Sequence, residues 1–374
     1  VSFQISRRHF LAAMGAGPLA GSQAFQGAMA ASFKNDPAPS LAEAARRRGR
    51  FFGAAIRMDQ LDADPDLKDA VLHECSSLTP EIHFNWNSFR YHRNSPWFEH
   101  ADSLVALAEQ HSLHVRGHSL LWEQTTPRWA IKELKRTKDW SLVDAFFKEV
   151  LPRYEGRVHE WDVVNEPIDS ERGVNGLRTT IFYKAFGPSY IERAMHEARR
   201  YDRKAKLFIN EYGFDYDNPV EEDRRTYFLK LIERLKKDNV PLDGVGVQAH
   251  LDLSKGPFKP QVVRNFLKEL RAFDIDVVIT ELDVKEHDKG APLPLRDKRV
   301  AAEARSFLEV ALDEPAVTGV VTWGLSDRHS WLEDQSKGLP PVHKAHKINR
   351  GLPYDAKLER KDMYYAMREA FLQA

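Results

Sequence analysis

Two glutamates stand out by type and by setting. Glu166 ends the stretch Trp161-Asp162-Val163-Val164-Asn165-Glu166-Pro167, where the proline stops any further strand pairing. Glu281 closes the apolar run Val277-Val278-Ile279-Thr280 and is followed by Leu282-Asp283. A pair of carboxyl groups is what glycosidic cleavage needs. One protonates the leaving oxygen, and the other meets the sugar carbon or activates a water. A single glutamate after a hydrophobic run is more often a charge at a helix N-terminus. Two of them at the ends of separate runs, with Asn165 beside one and Asp283 beside the other, favour catalysis.

Such a pair works only if the chain brings the two runs together. From Phe51 onward, short apolar runs alternate with segments of helical periodicity. The runs are Phe51–Ala55, Ser77–Pro80, Leu113–His118, Val158–Asn165, Lys206–Asn210, Gly244–His250, Asp276–Glu281 and Val317–Trp323. Between them, apolar residues recur at helical spacing at Leu104, Leu107 and Ala108, at Phe228, Leu231, Ile232 and Leu235, and at Val263, Phe266, Leu267 and Leu270. Strand and helix in alternation predict an α/β fold with a parallel sheet, and eight units predict a single (β/α)₈ barrel. A doubly wound open sheet is the second choice. In the barrel the two glutamates fall on the fourth and seventh strands, across a shared mouth at the C-terminal strand ends.

Composition narrows the function classes. The 374 residues carry Lys+Arg 55 against Asp+Glu 55, a formal net charge of zero, with 42% hydrophobic residues. This is the profile of a soluble globular protein, and it argues against a nucleic-acid partner, whose phosphates select a basic surface. Cys75 is the one cysteine and excludes an intramolecular disulfide. Gly15-Ala16-Gly17 and Gly244-Val245-Gly246 fit only a loose dinucleotide pattern. The first lies near the N-terminus with no preceding strand, and the second lies inside a strand with no helix after it. Neither cofactor nor metal is expected. Arg7-Arg8 stand before the uncharged stretch Phe10–Gly21, and Ala28-Met29-Ala30 offers a small-x-small cleavage pattern. Residues 1–30 are therefore expected to be a twin-arginine export signal, with residues 31–374 as the catalytic domain. A periplasmic or secreted monomer without a membrane anchor in its mature form follows.

With these residues set out, the chain from about Phe51 resembles glycoside hydrolase family 10, the retaining endo-β-1,4-xylanases. The resemblance is carried by Phe52-Gly53-Ala54-Ala55, by Leu78-Thr79-Pro80-Glu81, and by Arg116-Gly117-His118-Ser119-Leu120-Leu121-Trp122 with Pro127 and Trp129. It continues through Trp161–Pro167, Gly246-Val247-Gln248-Ala249-His250-Leu251, Thr280-Glu281-Leu282-Asp283, and Thr322–Asp327 with Trp331. It implies that Glu281 is the nucleophile and Glu166 the general acid and base. It implies further that Asn165 binds the 2-hydroxyl of the reacting sugar and that His250 holds Glu281, with Asp283 behind it. Gln248 would orient the site, Glu81 and His118 would contact sugar hydroxyls, and Trp122, Trp323 and Trp331 would wall the cleft. Trp86, Trp97 and Trp140 are assigned to core packing.

The sequence also departs from the family pattern. Ile82 stands for the usual asparagine and Asn85 for the usual lysine. Glu123 and Thr125 replace a histidine and a glutamine, and Asn210-Glu211-Tyr212-Gly213 replaces Asn-Asp-Tyr-Asn. An aliphatic Ile82 cannot bond a hydroxyl, so weak action on plain linear xylan is expected, unless Asn87, Arg90 or Gln124 restores the contacts. A decorated xylan or another β-linked polysaccharide, such as an exopolysaccharide, is the alternative substrate. A non-catalytic glycan-binding protein is a further alternative that the two retained carboxylates disfavour.

Overall fold

The computed structural model describes residues 38–333 and 348–373. The expected export signal over residues 1–30 lies outside that range. Each expected apolar run forms a strand. They are β1 (Phe51–Ile56), β2 (Ser77–Pro80), β3 (His114–Leu121), β4 (Glu160–Asn165), β5 (Lys206–Glu211), β6 (Gly244–Val247), β7 (Asp276–Lys285) and β8 (Val317–Thr322). All pairings between consecutive strands are parallel, and β8 returns to β1 with Phe51 opposite Gly319, so the sheet closes. The architecture is the (β/α)₈ barrel, and the open doubly wound sheet is excluded by that closure.

The helices between strands bury the stripe that their periodicity marked. Leu104, Leu107 and Ala108 face inward from Glu99–Gln110, and Val263, Phe266, Leu267 and Leu270 from Pro260–Arg271. Pro219–Lys237 opens with proline in its first turn, after Asn218 whose side chain accepts the Glu221 N–H. Its buried face includes Phe228, Leu231, Ile232 and Leu235.

Side chains pointing into the barrel are polar as well as apolar. Phe208, Val278 and Val321 form one buried cluster, with Phe51 against it. Beside them the Arg116 guanidinium donates to Glu160 Oε2 at 2.6 Å and to Asp162 Oδ1 at 2.8 Å, and its plane lies over the Phe208 ring. A buried charge survives only when it is paired and hydrogen-bonded, and these carboxylates meet that demand. Gly117, next to Arg116, admits the Trp161 indole, whose ring would stand 2.1 Å from any Cβ there.

The sixth strand differs from the sequence reading in a way that matters for chemistry. Pairing stops at Val247, because Ala249 turns the backbone into the left-handed region with φ of 57°. A three-residue strand, His250–Asp252, then resumes beside β7, which runs four residues past Glu281 to Lys285. Its register sets His250 opposite Asp283.

Candidate active site

Glu166 sits one residue beyond β4 with a φ of 54°, a conformation uncommon for a residue with a side chain. Neighbours over-determine it. Its N–H donates to the Asn210 carbonyl at 2.9 Å, and Arg178 Nε donates to its own carbonyl at 2.9 Å. Arg178 also reaches the Ile168 carbonyl and the Tyr212 hydroxyl, so one guanidinium staples the whole corner. The carboxyl itself accepts from Asn165 Nδ2 at 3.3 Å.

Glu281 lies within β7 and is held by its carboxylate. Asn210 Nδ2 donates to Oε1 at 2.7 Å, and His250 Nε2 lies 3.0 Å from Oε2. His250 Nδ1 is in turn 3.0 Å from Asp283 Oδ1, and Trp331 Nε1 donates to the other Asp283 oxygen at 2.6 Å. Asp283, fully buried, thereby fixes the orientation of the imidazole, and the imidazole aims the glutamate. Asn210 also donates to Asn165 Oδ1 at 2.9 Å, and its own Oδ1 accepts from Thr280 at 2.7 Å. Gly246 makes that position available to Asn210: a Cβ there would stand 2.0 Å from Asn210 Oδ1.

Charges set the protonation of these groups. Burial first, and then the Glu281 charge, push the Glu166 carboxyl above its ordinary range, with Arg178, Gln248 and Trp122 opposing. Burial alone would depress His250, yet the Asp283 and Glu281 carboxylates hold it well above its ordinary value. His118 behaves alike: burial lowers it, but Asp162, 2.9 Å from Nδ1, and Glu281 raise it on balance. Glu211, buried behind Tyr212, is pushed up to about 7 by desolvation, against the pull of Arg224, while the Glu166 charge adds to the rise.

One cavity of about 420 Å³ gathers Glu166, Glu281, Asn165, Gln248, His250, Asp283, His118, Trp122, Trp323 and Trp331 in its lining. Ten residues singled out from the sequence therefore meet at one mouth. Glu81 does not line this cavity. It sits just past β2 under the influence of Arg57 and Asp59, and burial pushes its carboxyl up to about 7. Among the departures, Asn85 turns inward to cap the short helix Trp86–Phe89, accepting the Ser88 N–H at 3.0 Å. Arg90 is engaged bidentately by Glu149 and Gln124 lines the cavity. The packing assignment fits Trp86 and Trp140, which are buried, but not Trp97, which is 57% exposed. Sequence reasoning quoted Asn210 and Tyr212 only as part of the motif after the fifth strand and gave them no role, and it passed over Lys255 and Lys285 in the cavity wall. The signal for Asn210 was its place at a strand end, the same signal that marked Asn165. Among the described residues, no group of three or more His, Cys, Asp or Glu is arranged to hold a metal ion, and no helix is long and apolar enough to cross a membrane.

Comparison with known proteins gives a consistent result. The profile of glycosyl hydrolase family 10 matches residues 40–370. The chain is 30% identical over 305 residues to endo-1,4-beta-xylanase B of Thermotoga neapolitana, covering 80% of this chain and 82% of that one. It is 27% identical to endo-1,4-beta-xylanase A of Phanerodontia chrysosporium, covering 86% and 74%. Among solved structures, native xylanase 10B from Thermotoga maritima superposes with a TM-score of 0.78 at 27% identity, over 89% of this chain and 98% of that one. Xylanase 10B from Thermotoga petrophila, in complex with xylobiose, superposes with a TM-score of 0.76 at 26% identity, covering 91% and 99%.

Proposed function

The chain belongs to glycosyl hydrolase family 10, and on that premise we propose that it cleaves β-1,4-linked xylan with retention of configuration, by double displacement. The observation that carries this reading is the presence in one cavity of two glutamates in unlike settings. Support for xylan comes from the relatives, which are named endo-1,4-beta-xylanases, and from the neighbouring structure that holds xylobiose.

In the first step the Glu281 carboxylate attacks the anomeric carbon. The glycosidic C–O bond breaks, and Glu166 gives its proton to the departing oxygen. Esterification removes the negative charge of Glu281. That charge is one of the two causes that raise the Glu166 carboxyl, so its loss favours the deprotonated form. Glu166 is thereby converted to the base that takes a proton from water as the water attacks the same carbon and Glu281 leaves. Asn165, fixed by Asn210, is placed to bond the 2-hydroxyl as charge develops on the sugar ring. Trp122, Trp323 and Trp331 offer flat faces to the C–H surfaces of the sugars.

An aryl β-xylobioside with a good leaving group, followed by NMR, should release the β-anomer first. The α-anomer first would overturn the retaining mechanism, and failure to cleave xylan would overturn the substrate. The export reading is proposed alongside: N-terminal sequencing of the secreted form should begin near Ala31, and an intact Arg7-Arg8 segment in the mature protein would refute it. A monomer is the proposed state in solution, and sedimentation at the mass of a dimer would contradict it.

A further inference from the structure

The corner that carries Glu166 leans on a residue outside the catalytic cavity. Asn165 and Asn210 are the last partners in the pairing of β4 with β5, yet the N–H groups that follow are still met from the end of β5. The Glu166 N–H donates to the Asn210 carbonyl, Pro167 has no N–H to offer, and the Ile168 N–H donates to Glu211 Oε2 at 2.7 Å. A side-chain carboxylate thus stands where continued pairing would have supplied a carbonyl. Glu211 is fully buried, and its other oxygen accepts the Tyr212 N–H at 2.9 Å and a bond from Arg224. All of these partners are donors, so the setting suits the ionised carboxylate.

Arg224 completes a clamp from the helix Pro219–Lys237. Its Nε donates to the Tyr212 carbonyl at 2.9 Å and its Nη1 to the Ile168 carbonyl at 3.3 Å, and its guanidinium lies 4.0 Å from the Tyr212 ring centroid. The Ile168 carbonyl also accepts from Arg178, which holds the Glu166 carbonyl. Glu211 and Arg224 therefore close on both main-chain groups of Ile168, two residues after Glu166. They close equally on both main-chain groups of Tyr212, which lines the catalytic cavity. Gly213 permits this, since a Cβ there would stand 2.8 Å from Arg224 Nε, and the departure from asparagine at that position acquires a use. A buried charge that loses its partner is heavily penalised, so the clamp stays shut. The two carboxyl groups also sense each other: after burial and Arg224, the Glu166 charge is the next influence on Glu211.

We propose that Glu211 and Arg224 are positioning residues for proton transfer, which hold the Glu166 corner so that its carboxyl reaches the departing oxygen. Neither lines the catalytic cavity, so both act through Glu166 rather than on the sugar. The proposal rests on the double-displacement reading above, in which Glu166 protonates that oxygen while Glu281 attacks the carbon. The Glu281 carboxylate is held by Asn210 and His250 instead, so the clamp bears on one glutamate and not on the other.

The test varies the leaving group on a constant sugar. Dinitrophenolate departs without a proton and phenolate needs one, so dinitrophenyl and phenyl β-xylobioside differ in their demand on Glu166. In Glu211→Gln an amide nitrogen must face one of the donors. On the phenyl glycoside kcat/KM should then fall about tenfold, a part of the ~10²–10⁴ that acid catalysis contributes, with the dinitrophenyl glycoside unchanged. Should thermal melts show that Glu211→Gln does not fold, Arg224→Lys keeps the charge and gives up the bonds to the two carbonyls. It should show the same pattern at about threefold. A fall of equal size on both glycosides, or none on either, would overturn the positioning role while leaving the retaining reading intact. If the unsubstituted protein cleaves neither glycoside, that reading itself falls, and this proposal with it.

Discussion

At the corner after β4 the backbone is held and the carboxyl is given room, whereas in β7 the carboxyl is held and the backbone is ordinary strand. Glu166 owes its position to Arg178 and to the Asn210 carbonyl, both acting on main-chain atoms, and its side chain accepts from Asn165 at 3.3 Å. Both oxygens of Glu281 meet a side-chain nitrogen, at 2.7 and 3.0 Å, and one of those nitrogens is braced by a buried aspartate. The difference matches the work assigned to each. A group that gives up and retakes a proton must be stable in both forms, and a desolvated carboxyl beside a like charge meets that need. A nucleophile must be aimed at one carbon, and the hydrogen bonds to both of its oxygens do the aiming.

Substitutions can break this contrast, beginning with the largest effect. Glu281→Ala should abolish turnover of both xylan and activated aryl glycosides, a loss on the order of several powers of ten in kcat, since neither displacement can begin. Glu166→Ala should differ in kind. With an activated leaving group the first displacement should survive, a burst of released phenol should precede slow turnover, and azide should restore the steady-state rate by replacing the water that needs a base. If these two phenotypes were exchanged, the roles assigned to the two corners would be reversed.

Asn210→Ala should cost roughly ten- to a hundredfold in kcat, because it removes a hydrogen bond to a charged oxygen and frees Asn165 at once. Gly246→Ala should reproduce part of that loss with Asn210 still present, since the added methyl displaces its amide. Steady-state rates of the two variants, with thermal melts as a folding control, check both outcomes. A wild-type rate in Asn210→Ala would show that His250 alone is enough to hold Glu281.

The smallest effect sharpens the electrostatic side of the comparison. Glu166 is raised in part by the Glu281 charge, so its carboxyl stays protonated to higher pH than an ordinary glutamate, and the alkaline limb of kcat/KM should reflect its loss of that proton. In Glu281→Gln the neighbouring negative charge is gone. The Glu166 titration, followed by carbon NMR of the labelled carboxyl, should then move to lower pH. An unchanged midpoint would mean that burial alone sets it, and that esterification does not switch acid to base.

Much of this was legible before any coordinates. The barrel could be read because a strand and its end are local properties. A run such as Val277–Thr280 has no helical period, and Pro167 stops pairing wherever it stands. The buried stripes of the helices were equally local. The family motifs then added side-chain roles that no periodicity carries. The chain-order count also set Glu166 and Glu281 on the fourth and seventh of eight strands, as the closed pairing has them.

Other features depended on register between distant segments. His250 meets Asp283 only because Ala249 breaks β6 and because β7 continues past Glu281, and neither boundary is marked by a change of composition. Asn210 binds Glu281 across 71 residues of chain, through a gap that Gly246 leaves open on the strand between them. Glu81 and Trp97 show the converse limit, since one does not line the catalytic cavity and the other stands outside the core. The amino-acid sequence by itself determined which residues lie in strands, where each strand reaches the mouth, and that two carboxyl groups arrive there. Which atoms those groups touch was decided by the tertiary structure, because hydrogen bonds act over about 3 Å and only barrel closure brings distant strands to that range.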